Sequence, residues 1–259
     1  MNSVEPAAPL SGLTFGTMRL HGLGDVARAA DLIRRAMDGG VTSFHVSSEY
    51  ESWPFFVEAW NAVRKDRDVS PVRFTAKVAG PHFGEATFDP ADFARRIDVY
   101  RRGLDLERLD IVQWLLRHDL KDEAGRLEIF RRDAGLIAAT MADLKAAGVI
   151  GGLVSFPYTQ GVAELALEAG WCDGLALYVN RFETELAHVL PLAAAKPLGV
   201  LAIRPFAAGR VFESQDQSAA EALRYALRQP GVRTVVASVS SADHLDEALA
   251  AIADERPNV

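Results

Sequence analysis

Two side chains with complementary acid–base chemistry stand at the ends of neighbouring apolar runs. The run VTSFHVS (41–47) carries His45 and leads through Ser48-Glu49 to Tyr50. The next β-rich run, VRFTAKV (72–78), holds Lys77 among apolar neighbours. Lysine is rarely buried without a partner. An ammonium near a phenol favours the phenolate and depresses the phenol's pKa, which would make Tyr50 a usable proton donor near neutral pH. The same spacing also suits a lysine reaching solvent and a tyrosine packing on a rim. Both readings are open at this level.

Positioning these groups is the task of a regular alternation of apolar runs and amphipathic stretches. A helix from Asp25 to Asp38 closes on Gly39-Gly40, with Asp25 able to cap it and the glycines able to end it. Helical stretches follow around 54–66 and from Asp89-Pro90, then the buried strand LDIVQWLL (109–116) and a long helix ending at Lys145 to Gly148. Strands at 151–156, 174–179, 199–203 and 233–239 alternate with helices at 159–169, 183–195, 217–228 and 241–253. With LTFGTM (13–18) as the first strand there are eight strand–helix units. Such units imply parallel pairing, because each helix returns the chain to the same end. Eight of them predict a single (β/α)8 TIM barrel over 1–259, with 1–12 as an N-terminal extension. An open doubly wound sheet is the competing arrangement. The long loops 79–89, 117–127 and 205–217 would then lie at the C-terminal face, where barrel sites form.

Composition excludes several functions. The 28 basic and 35 acidic residues give a net charge of −7 without a basic stripe, against a nucleic-acid partner. No run approaches the roughly 18 apolar residues of a membrane span. MNSVEPAAPLSGL does not read as a signal peptide. The single cysteine, Cys172, offers neither an internal disulfide nor a zinc cluster. A cytoplasmic protein without a metal is expected.

With these pieces in order the chain resembles an aldo-keto reductase. FHVSSEYE (44–51) is similar to that family's second-strand motif, Phe-Ile-Asp-Thr-Ala-x-x-Tyr-Gly, and Thr75-Ala76-Lys77 to its Thr-Lys pattern. LDIVQWLL resembles its Asp-Leu-Tyr-Gln-Leu-His strand, and GGLVSF (151–156) its Gly-Val-Ser-Asn stretch. LAIRPFAAGR (201–210) resembles Ala-Tyr-x-Pro-Leu-x-x-Gly, and SVSSADHLDEAL (238–249) the phosphate-binding segment ending Leu-x-Glu-Asn. The resemblance spans roughly residues 13 to 252. It implies a barrel that uses NADPH, less often NADH, to reduce aldehydes and ketones. Tyr50 would give the proton, and Lys77 would lower its pKa. Ser155, Ser238, Ser240, Ser241, His244 and Glu247 would fall on the cofactor.

The departures lie where the chemistry should be. The lysine-holding aspartate is His45, and the histidine of the fourth strand is Leu115, with His118 three positions on. The asparagine after Ser155 is Phe156, the nicotinamide-contacting glutamine aligns with Ala176, and the stacking tyrosine with Ile203. The terminal asparagine is Ala248, and a position often held by Arg or Gln is His244. Each lost contact costs about 1 kcal/mol or more.

The remaining residues carry paired readings. Ser238, Ser240 and Ser241 precede the last helix, whose free N–H groups can hold a phosphate or simply be capped. Gly209-Arg210 offers a flexible loop with a cation. Arg204, just after the seventh strand, suits a bidentate carboxylate or phosphate, or a salt bridge with Glu183 or Glu185. His118 is either the missing histidine's replacement or a solvated loop residue. Trp53, Phe55 and Phe56 either wall a pocket or belong to the core; His82 belongs to a Gly-flanked loop, and Glu49 is an acid–base partner or a solvated acid. Three functions follow: an NADP- or NAD-dependent reductase of a small carbonyl substrate, a cofactor-independent acid–base enzyme on a small anionic or sugar-like substrate, or a binding protein keeping only the fold. One barrel hosts many reactions, so fold does not choose among them.

Overall fold

The computed structural model of the protein describes residues 10–119, 122–213, 218–253 and 255. Parts of two expected loops, 120–121 and 214–217, and most of the 1–12 extension therefore lie outside the described residues. Capping works as the residue types dictate. Asp25 accepts from the Ala27 N–H at the start of α1 (Val26–Asp38), and Asp89 accepts from Ala91 and Asp92 at the start of α3 (Pro90–Leu104). Ser218 and Glu221 form a reciprocal capping box on α7 (Ala219–Leu227).

Eight strands, β1 (Leu13–Gly16), β2 (Ser43–Val46), β3 (Arg73–Ala79), β4 (Leu109–Leu115), β5 (Ile150–Ser155), β6 (Gly174–Tyr178), β7 (Gly199–Ile203) and β8 (Val232–Ser238), close into a barrel in chain order. Every neighbouring pair is parallel, including β8 against β1. Closure rules out the open sheet. Outside the barrel lie α1, α2 (Trp53–Val63), α3, α4 (Glu123–Ala146), α5 (Gln160–Glu168), α7 and α8 (Ala242–Ala253).

The helix expected over 183–195 is the main departure. It shrinks to a 3-10 turn, Ala187–Val189, and the single turn α6, Leu190–Ala193. Asn180 Oδ1 accepts the backbone N–H groups of Phe182 and Glu183, which holds a side-chain turn where that helix would begin. Pro191 then leaves room only for a helix start at its own position.

Alternation along each strand sends one set of side chains toward the helices and the other into the barrel. On the outside, Phe74 packs within 5.0–6.4 Å of Trp60, Phe44 and Phe56, ring centroid to centroid. Trp53 meets Phe56 and Tyr100, and Phe55 packs on the same core, so this aromatic group is structural rather than a pocket wall. Inside, the hydroxyls of Ser11, Ser43, Thr14 and Thr234 form a chain of hydrogen bonds of 2.7–2.8 Å near the strand starts. An apolar cluster including Ile111, Leu115, Val154, Ala176 and Leu201 fills the interior. Among the described residues this leaves the C-terminal mouth as the open end of the barrel interior.

Replacing Phe74 by Ala would remove the ring shared by three aromatic neighbours. The expected cost is about 3–5 kcal/mol, read as a lowered midpoint in urea unfolding at unchanged slope.

Candidate active site

Toward the mouth, inward positions of β2, β3 and β4 carry His45, Lys77 and Gln113. These three, with Tyr50, line one end of a cavity of about 920 Å³. Tyr50 comes there through a turn after β2, in which its N–H donates to the Ser47 carbonyl at 3.1 Å and its own carbonyl receives the Trp53 N–H at 2.9 Å. Lys77 Nζ lies 5.3 Å from the centroid of the Tyr50 ring. The ammonium of β3 therefore lies over the ring that the turn after β2 brings to it.

Their electrostatics differ from expectation. Burial pushes the Tyr50 phenol up, assisted by Tyr100 and Glu49, while Arg117 opposes it. The phenol therefore moves opposite to the expected depression, because desolvation of the phenolate dominates. Burial also pulls the Lys77 ammonium down, reinforced by Arg117 and resisted by Glu49. Tyr50 is consequently held in its protonated form, as a weaker acid than a free phenol.

His45 sits at 5% exposure, with Nε2 2.8 Å from Gln113 Oε1. An amide oxygen only accepts, so Nε2 carries the proton and Nδ1 keeps a lone pair. Burial, with Lys77 adding repulsion, holds the His45 pKa down to about 4 despite the Gln113 bond. A neutral imidazole therefore stands beside Lys77. Gln113 was not singled out in the sequence; its place two residues before Leu115, at an inward position in register with Lys77, is the signal that could have found it.

Around the rim, Arg117 forms an ion pair with Glu49, donates to Tyr158 Oη at 3.3 Å and lies over the Phe83 ring. Glu49 also faces His82 Nε2 at 3.5 Å, so both residues belong to this rim cluster. His118 does not join it. Its Nε2 bonds Asp122 at 3.0 Å at the start of α4, and it does not line the cavity. The structure thus brings His118 to Asp122 and not to the residues around Tyr50.

The cavity's other arm runs past Ile203 to Ser238, Ser240, His244 and Glu247, and includes Arg204 and Gly209. Three expected cofactor residues fall elsewhere. Ser155 is fully buried and lies outside the lining. Ser241 accepts the His244 N–H, which is the ordinary cap reading. Arg210 stacks 4.7 Å over the Phe182 ring. Arg204 lines the cavity but is already paired: its Nε donates to Glu183 Oε2 at 3.0 Å, and its guanidinium lies over Tyr178. The salt-bridge reading holds for it. Met18, Arg19, Tyr178, Phe206 and Phe212 also line the cavity and were missed, since nothing in their spacing distinguishes them from surface or core residues. Among the described residues no group of three or more His, Cys, Asp or Glu could hold a metal ion, and no helix is long and apolar enough to cross a membrane.

Comparison with known proteins places this geometry in context. The sequence profile of the aldo/keto reductase family matches residues 12–221. No match was found among curated proteins. Among solved structures, the holo form of an aldo-keto reductase from Bacillus halodurans superimposes with a TM-score of 0.75 at 18% identity, covering 96% of this chain and 89% of that one. An aldo/keto reductase from Klebsiella pneumoniae, solved with NADP and acetate, gives a TM-score of 0.72 at 21% identity, covering 94% and 86%.

The buried imidazole yields a measurable consequence. Its folded pKa of about 4 lies below its ordinary 6.5, so between these values the unfolded chain binds the extra proton. The stability it contributes is therefore lost as pH falls through that window. Nitrogen-edited NMR is expected to show His45 neutral and protonated on Nε2 down to pH 5, and His45→Gln to flatten the pH dependence of unfolding between those values.

Proposed function

Because this chain belongs to the aldo/keto reductase family, we propose that it is an oxidoreductase that reduces a small carbonyl compound with NADPH or NADH at the Tyr50–Lys77 end of its cavity. The observation that carries this reading is the meeting of Lys77 Nζ with the Tyr50 ring, 5.3 Å from its centroid, in a cavity of about 920 Å³ that continues to the start of α8.

The residues along that arm fit a dinucleotide. Ser238 and Ser240 stand before α8, whose free N–H groups and dipole favour phosphate. His244 and Glu247 on the same helix also line this arm and would be available to the polar groups of a nucleotide. The loop after β7 holds Ala207, Ala208 and Gly209 at φ 46°, 58° and 102°. For alanine this left-handed region costs about 1 kcal/mol or more per residue, and such strain kept beside a cavity is typical of a loop shaped around a ligand. Ile203 and Phe156 also line the cavity, and their apolar faces would be what a nicotinamide ring meets in place of the polar contacts of the family motif.

When bound, the dihydronicotinamide supplies the hydride that reduces the carbonyl carbon. Tyr50 Oη donates its proton to the carbonyl oxygen as the C=O π bond opens, leaving an alcohol. Lys77 stabilises the phenolate that remains until water at the mouth reprotonates it. His45, neutral and hydrogen-bonded to Gln113, stands near Lys77 without offering it a charge. The apolar nicotinamide end favours a second reading, in which the same Tyr50, His45 and Lys77 carry out proton transfer on an anionic substrate without any nucleotide.

Nucleotide binding separates the readings. At 100 times the dissociation constant NADPH or NADH should add about 2.7 kcal/mol of stability, seen as a rise in Tm. Tyr50→Phe should keep that shift while lowering kcat about 10²–10⁴-fold. No shift with either nucleotide at millimolar concentration would overturn the reductase reading.

A further inference from the structure

The chain has five lysines, Lys65, Lys77, Lys121, Lys145 and Lys196, and among the described ones Lys77 is the one that lines the cavity. Lys145 shows the ordinary arrangement, with its ammonium on the Asp173 carboxylate. Lys77 has no such partner. Among the described residues no carboxylate lies within ion-pair distance of its Nζ, which sits over the Tyr50 ring, 5.3 Å from the centroid. Glu247, the one carboxylate among the described lining residues, belongs to α8 and forms no ion pair with it. The groups brought to the same part of the cavity by neighbouring elements are uncharged: neutral His45 on β2, Gln113 on β4, and the protonated Tyr50 phenol. Burial is the largest influence drawing the ammonium down; Arg117 at the rim adds to it, and Glu49 opposes.

A partly desolvated lysine near another cation and without a countercharge has more of its free base, which is a nucleophile toward carbonyl carbon. We propose that Lys77 condenses with small aldehydes to form an imine, an activity of this cavity that needs no nucleotide. The Nζ lone pair adds to the carbonyl carbon, the C=O π pair moves to oxygen, and one N–H proton follows it to give a carbinolamine. Tyr50 then protonates the departing hydroxyl, which leaves as water while the nitrogen lone pair closes the C=N bond. The last nitrogen proton returns to the phenolate, so nothing is oxidised or reduced. Phe156, Tyr178 and Ile203 line the same cavity, and such apolar walls suit an uncharged aldehyde with a short hydrocarbon chain. This activity is independent of the reductase reading, in which Lys77 acts as an ammonium.

The test adds propanal and sodium cyanoborohydride, which reduces an imine to a stable secondary amine, to the full-length protein at neutral pH without nucleotide. Peptide mass mapping over time then locates the labelled lysines. Lys77 should be labelled first, ahead of the exposed Lys65, and this adduct should be lost in Lys77→Arg. Tyr50→Phe should slow the Lys77 adduct about 10²-fold or more, as loss of a positioned proton donor does. His45→Asp, which gives the lysine a carboxylate, should slow it as well, with Lys65 labelled at the wild-type rate in both variants. Labelling of wild type in order of exposure, or a Lys77 rate unchanged in both variants, overturns the proposal and leaves the reductase reading to the nucleotide-induced Tm shift. Rapid labelling of Lys77 with no Tm shift for either nucleotide sustains the imine activity and overturns the reductase reading instead.

Discussion

An ammonium set against a phenol, with a neutral imidazole where a carboxylate would balance it, governs the character of this site. Lys77 can occupy that place because the closed barrel brings β2, β3 and β4 together and alternation turns His45, Lys77 and Gln113 inward toward the cavity. The hydroxyl chain and apolar cluster inside the barrel leave the C-terminal mouth as the place where a small molecule can enter. Charge is therefore concentrated on a small patch rather than spread through the interior.

Desolvation dominates the acid–base behaviour there. Tyr50, Lys77 and His45 are all shifted toward their neutral forms, and burial is the leading cause for each. In a site with an internal carboxylate, Coulomb attraction would keep the lysine charged and the phenol more acidic. Here the nearest charged groups are the rim pair Glu49 and Arg117, which act on the site in opposite directions. The rim thereby becomes part of the electrostatic design, through residues outside the family motifs. The second arm of the cavity is simpler. It combines a helix start, whose first turn carries Asp243, with a loop held in left-handed backbone conformations.

Much of the fold was legible in the residues. Asp25 and Asp89 announced their helices by capping chemistry, and the apolar runs located all eight strands to within two residues or so. The failure at 183–195 is instructive: a polar, helix-compatible composition was overruled by Asn180, which accepts local backbone N–H groups, and by Pro191. The site was legible in part. Tyr50 and Lys77 could be paired from spacing and resemblance, whereas Arg204, Arg210, Ser241 and His118 each had a structural partner that a linear pattern does not display.

The sequence alone determined the order of strands and helices, the barrel they imply, and the substitution of His45 and Leu115 for charged or titratable family residues. Those are local properties, written in periodicity, capping and residue identity. Which cations are neutralised was decided only in three dimensions. Glu183 reaches Arg204 across 21 positions and Glu49 reaches Arg117 across 68, and such pairings arise from packing between distant elements. The sign of the Tyr50 shift was decided there too, because burial depends on how the whole mouth closes around a side chain.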